Sequence, residues 1–258
     1  MIHPVLARMK KVSLIFSFAL LMFLPARLSG QNYRLPAGAV VIETQPLKSG
    51  AHANRALLLW MLRPGRHPRD APDDVYSCPE ETRGSYYSGP TRVSLVDTQS
   101  RQIINTLKIS DEHFEEEDSF DVPYQIHDGH YHVAGVREGA EGKPVVMWLR
   151  DYNGDGKALE FALFDALACM GLSTTLIGYS EARDRVIQYP IQLETDNNGQ
   201  RSAQKLYWVD YLFSMKPERP GYWRYEIDYR GRGGTLDKYE IRYDRQQERF
   251  AGRLISLQ

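Results

Sequence analysis

The residues of this 258-residue chain best suited to chemistry are Asp151, Asn153 and Asp155, in the run Asp151-Tyr152-Asn153-Gly154-Asp155-Gly156. Oxygen side chains at alternate positions, followed by a glycine that permits a sharp turn, can aim several hard donors at one point, which is what Ca²⁺ needs. The backbone carbonyl of Lys157 and the carboxylate of Glu160 extend the set, so the expected ligands are Asp151, Asn153, Asp155, Lys157 and Glu160. With only two or three charged ligands, weak binding is expected, on the order of 10⁻⁴ to 10⁻³ M as in extracellular modules. Such an ion holds a loop and performs no catalysis. The competing reading is a plain turn, with Asn-Gly and Asp-Gly supplying the geometry and Arg150 and Lys157 the local counter-charge.

The D-x-[DN]-x-D-G pattern of Asp151 to Gly156 resembles the calcium loops of EF-hands and of the FG-GAP and VCBS repeats of secreted proteins. An EF-hand loop closes with a bidentate Glu at its twelfth position, and counting from Asp151 that position is Ala162. It also needs a helix on each side. Here the flanks, Val145 to Leu149 and Phe161 to Phe164, are short apolar runs that read as strands. A strand–loop–strand setting is similar to the FG-GAP type, which usually carries an acid at the ninth position. This chain has Leu159 there and Glu160 one place later. The likeness spans roughly a dozen residues in one copy, and it implies a calcium loop without assigning the whole chain to a family.

Two other clusters could carry chemistry. His127, His130 and His132 fall within six residues, and three imidazoles that close can form a transition-metal site and hence a metal-dependent hydrolase. The alternative is a polar hairpin in which each ring finds its own hydrogen bond. Trp223, Tyr225, Ile227 and Tyr229 alternate with Arg224, Glu226, Asp228 and Arg230, and Tyr239, Ile241 and Tyr243 alternate with charged residues after Gly231 to Gly234. This predicts an antiparallel hairpin with one aromatic and one charged face. The aromatic face either packs on a core or stacks on sugar rings, and exposure of Trp223 or Trp208 would favour the sugar. No G-x-S-x-G, H-E-x-x-H, phosphate loop or dinucleotide fingerprint occurs. The reading therefore leans away from an enzyme.

The elements that must position these residues begin after the first thirty. Arg8, Lys10 and Lys11 precede the apolar run Val12 to Leu24, and small residues follow at Ala26 to Gly30. This pattern predicts a secretory signal peptide over 1–30 and a single β-rich domain over 31–258. Losing four cations and no acid takes the formal charge from −1 to −5. A mildly acidic chain delivered to the periplasm or outside is a poor nucleic-acid binder, so the expected partner is a protein or a carbohydrate. No later apolar segment approaches membrane-spanning length. In that oxidising compartment Cys78 and Cys169, the only two cysteines, are expected to form a disulfide, with two buried thiols as the alternative.

The chain reads as all-β and mostly antiparallel, a two-sheet sandwich first and an irregular β-propeller second. Strands are expected at Ala39 to Glu43, in a hairpin of Arg92 to Asp97 with Gln102 to Ile109, and at Thr174 to Gly178, Arg185 to Tyr189, Ile191 to Glu194 and Lys205 to Phe213. Ala56 to Leu62 is ambiguous between strand and helix. Residues 63–90, with five prolines, read as one long loop. The acid-rich run Asp111 to Asp118 reads as a solvated turn, and Asp165 to Gly171 as one short helix.

Overall fold

Ala56 to Met61 is apolar at every position, and it forms a strand because both of its faces find cover. The computed structural model describes residues 33–48, 50, 52–67, 82–83, 86–109, 119–122, 125–126, 146–165, 171–197 and 199–258. In it β2 (Arg55–Leu62) lies between β1 (Ala39–Pro46) and β5 (Tyr86–Asp97). One face of β2 supplies Leu57, Leu59 and Met61 to the main core. The other packs Ala56, Leu58 and Trp60 into a smaller cluster with Val96.

The first sheet runs β1–β2–β5–β3, with β3 at Gly65–His67, and β6 (Gln102–Lys108) and β7 (Ser119–Val122) also pair with β5. A two-stranded piece joins β4 (Thr82–Arg83) to β8 (Gln125–Ile126). The second sheet is built on β10 (Ser173–Ser180), which pairs with β9 (Glu160–Asp165), β11 (Arg185–Gln188) and β14 (Trp208–Asp210). The third has the order β13–β12–β17–β16–β15, from Gln200–Leu206, Ile191–Asn197, Arg249–Leu257, Leu236–Asp244 and Tyr222–Asp228. Among the described residues pairing is antiparallel except between β12 and β17. No sheet closes into a barrel among the described residues, and one core cluster takes residues from all three, from Leu57 through Phe161 to Phe250. The all-β, antiparallel expectation holds, and the separate sheets on a common core fit a sandwich.

Four expectations need correction. Val146 to Leu149 is not a strand; only Arg150 makes an isolated bridge, to Glu160. The reason is local: the Val146 and Met147 N–H groups donate to Glu43 Oε2, at 2.5 and 3.2 Å, in place of a ladder. Residues 63–90 are not one loop, since β3 lies within them and β5 already begins at Tyr86. Lys205 to Phe213 breaks into the end of β13, the short β14 and a turn at Tyr211, which takes a positive φ of 58°. Asp165, where a helix was expected to start, is the last residue of β9, and 166–170 lie outside the described residues. So do the signal segment, Cys78, Cys169, the acid-rich run 111–118 and the three histidines.

The first and second sheets are joined by polar groups that mimic backbone. The Asn105 amide accepts from Val186 N and donates to Val186 O, both at 3.0 Å, so one side chain serves as a strand partner for β11. Arg55 forks to Asp184, with Nε at 3.0 Å and Nη2 at 2.7 Å, and reaches Asp97 through Nη1 at 2.6 Å. The Arg55 guanidinium, then the Tyr179 hydroxyl, hold the Asp184 carboxyl down to about 2. A carboxyl held below its unfolded value of 3.8 stabilises the fold above that pH and loses the contribution as pH falls through 2. Acid titration of stability should therefore show a loss of about 1–2 kcal/mol below pH 4, discounted for partial exposure, that shrinks in Arg55→Ala. An unchanged acid limb in that variant would remove this pair from the account.

Candidate functional site

The Asp151–Glu160 loop leaves the Arg150 bridge and returns as β9, so its two ends are held together by backbone bonds between Arg150 and Glu160 at 2.7 and 3.2 Å. Tyr152 fixes it to the interior. Its ring is 5% exposed and meets Phe213 edge-on at 5.8 Å, and Phe213 in turn packs on Trp223 and Phe250.

The oxygen side chains wind the loop around themselves. Asp151 Oδ1 accepts from the N–H groups of Gly154 and Asp155 at 2.7 and 3.1 Å, and Oδ2 accepts from Gly156 at 2.9 Å. Asn153 Oδ1 accepts from Asp155 N and Asp155 Oδ1 from Lys157 N, both at 2.9 Å. A carboxylate has about four lone-pair sites, so these bonds leave acceptor capacity on Asp151 and Asp155 and do not compete with an ion. Lys157 is exposed and its ammonium pairs with Glu181, leaving its carbonyl as the group it would offer a cation.

Glu160 sits beneath the loop and is fully buried. Oε2 accepts from Tyr152 N at 3.1 Å, while Oε1 accepts from Asn153 Nδ2 at 2.9 Å and from the Tyr189 hydroxyl at 3.5 Å. None of these partners is cationic. Burial, and then the charges of Asp155 and Asp151, push the Glu160 carboxyl up to about 8. Space for it comes from Gly178, its register partner on β10: a Cβ there would stand 2.7 Å from Glu160 Cγ.

The outer side of the loop rests on another turn. Gly154, at φ +75°, lies so close to Pro220 that a Cβ would be 2.8 Å from its carbonyl carbon. Gly221, at φ +72°, would put one 2.7 Å from the Asn153 carbonyl oxygen. Each backbone therefore occupies the space of the other's missing side chain. A cleft of about 190 Å³ opens beside the loop, with Asp155, Tyr179, Tyr189, Tyr243 and Glu248 among its walls. Burial raises the Tyr243 and Tyr189 phenols, with Glu248 and Glu160 respectively the next largest influence.

The structure thus brings Asp151, Asn153, Asp155, Lys157 and Glu160 into one folded unit, with Glu160 as a buried brace. Among the described residues no three His, Cys, Asp or Glu side chains gather as a ready metal cluster. Ligation would rest on Asp151, Asp155, the Asn153 amide oxygen and a backbone carbonyl, a hard-oxygen set of the kind calcium takes. Sequence reasoning missed Gly178, Gly221 and Tyr189. Gly178 carried a signal, since an isolated glycine in a strand marks close approach; the other two act only through tertiary contact.

The aromatic hairpin is a core element. Trp223 is 1% exposed, packs on Phe213 and Phe250, and donates its indole N–H to Met215 O at 3.1 Å; Trp208 is half-buried. No family model matches this chain, and no curated protein or solved structure matches it either.

Proposed function

We propose that this chain is an extracytoplasmic, non-catalytic binding protein whose Asp151–Glu160 loop is held by a calcium ion. The observation that carries the reading is the buried Glu160 carboxylate beside Asp151 and Asp155 with no cationic partner among the described residues. Burying a charge without a counter-charge is expensive, and such a group either takes up a proton or gains a cation. A calcium ion on the outer oxygens of Asp151, Asn153, Asp155 and the Lys157 carbonyl supplies that cation. It would act structurally, pinning the loop against the Pro220–Gly221 turn and so fixing the cleft beside it.

The test is thermal unfolding in excess chelator and in about 2 mM Ca²⁺, with Asp155→Ala alongside. An ion that binds only the folded state stabilises by mass action, by about 1 kcal/mol if Kd lies a few-fold below the added calcium. For a domain of this size that is a rise of roughly 2–4 °C. It should vanish in Asp155→Ala. Identical melting in chelator and calcium would reduce the loop to a turn closed by its own side chains.

A further inference from the structure

The outer face of the third sheet carries a second feature, independent of the calcium loop. Its residues alternate outward along β15, β16 and β17 and form cross-strand rows. One row reads Arg224, Glu240, Arg253 and then Glu194 on β12, so charge alternates in sign. Glu240 ties this row together: it accepts from the Tyr222 hydroxyl at 3.0 Å and from Arg253 Nη2 at 2.7 Å, and lies 3.7 Å from Arg224.

The neighbouring row breaks the pattern. Arg242 stands between Tyr222 and Ala251, neither of which is an acid. Arg242 is exposed and makes no ion pair or side-chain hydrogen bond among the described residues. Ala251 is short and is flanked by long side chains, which leaves a shallow groove of about 520 Å³. Arg219, whose guanidinium lies 4.7 Å from the Tyr222 ring, closes one end, and Arg224 stands over the same ring at 5.8 Å. Four arginines and two glutamates line this groove, both glutamates belong to the alternating row, and Glu218 stands 4.0 Å from Arg224 beside it. The surplus positive charge therefore lies with Arg219 and Arg242, on either side of Tyr222, within a chain whose net charge is negative.

We propose that this groove binds an oxyanion, with Arg242 as the anchor and Arg219 and Arg224 as flanking donors. Guanidinium groups present paired N–H donors that match the oxygens of carboxylate, sulfate or phosphate. The Tyr222 ring and the Glu240 carboxylate hold two of the arginines in place, so less conformational freedom is lost on binding. The groove is large enough for more than a single small ion, and the anion could be free or carried on an acidic sugar chain.

Equilibrium titration of the full chain at low salt distinguishes the two sources, using inorganic phosphate in one arm and a sulfated heparin octasaccharide in the other. Saturable binding in either arm is expected, weakened about tenfold or more in Arg242→Ala and weakened again by added salt. Saturation by phosphate assigns a free ion, and saturation by the octasaccharide alone assigns a polymer-borne group. Arg232→Ala, in the Arg230–Arg232 turn at the far end of β15, removes the same charge away from the groove and should leave binding within twofold. Both replaced side chains are exposed, and unchanged melting temperatures will show that the variants fold. No saturable binding in either arm, or equal weakening by Arg232→Ala, overturns the proposal.

Discussion

Glu160→Gln should raise the stability of the chelator-treated protein at pH 8.5 by about 3 kcal/mol, or roughly 6–12 °C in Tm. The fold holds the Glu160 proton up to about pH 8, whereas the unfolded chain releases it near 4.5. An acid whose value is raised on folding favours the folded state at low pH and loses that advantage as pH rises from the unfolded value through the folded one. Wild-type stability should therefore fall between about pH 5 and pH 8 and then level off. Glutamine keeps an acceptor for the Tyr152 N–H and can donate to the Tyr189 hydroxyl, gives up the bond from Asn153 Nδ2, and has nothing to ionise. Its profile should lack the slope. Calcium at pH 8.5 should recover much of the difference in wild type, because a nearby cation favours the carboxylate. Parallel pH profiles for the two proteins would show that Glu160 meets enough water or charge to ionise freely, and the argument for a cation would go with it.

The second large effect concerns how the loop is seated. Gly154→Ala and Gly221→Ala should each cost about 2–4 kcal/mol, whereas Gly156→Ala should cost only about 1 kcal/mol. All three positions have positive φ, at +75°, +72° and +87°, so the backbone penalty is common to them. The difference is contact. A Cβ on Gly154 or Gly221 meets backbone of the opposing turn below 3.0 Å, and backbone cannot swing aside as a side-chain tip can. Around Gly156 nothing lies within 4 Å. Denaturant unfolding of the three variants measures this directly, and the calcium response adds a second readout. Gly156→Ala should keep the response, while the two docking variants should lose most of it because the loop must lift. Equal costs at Gly154 and Gly156 would mean that the loop is not seated on the Pro220–Gly221 turn.

Much of the architecture could be read from the residues. Gln102–Lys108 and the Trp223–Tyr229 alternation announce themselves because a half-buried strand has period two, and the observed burial of β6 follows that alternation, whereas Arg92 to Val96 is buried on both faces. Val146 to Leu149 misled for the same reason: its composition suits a strand, but the bulged β1 delivers Glu43 to its N–H groups. Residues 63–90 misled because prolines mask strands, although Pro90 itself sits within β5.

The residue pattern alone set the class of chain and the chemistry on offer: alternating strands for an all-β fold, and oxygens at 151, 153 and 155 with glycines that let the loop turn. Those properties are local, set by the pleat of a strand and by the reach of a side chain over a few bonds. Packing buried Glu160 under that loop, gave it room at Gly178, and pressed two distant turns together at Gly154 and Gly221. It likewise put Trp223 in the core and set Arg242 between two cross-strand partners that are not acids. Burial and register depend on which strands become neighbours, and that follows from the packing of the whole chain rather than from any stretch of it.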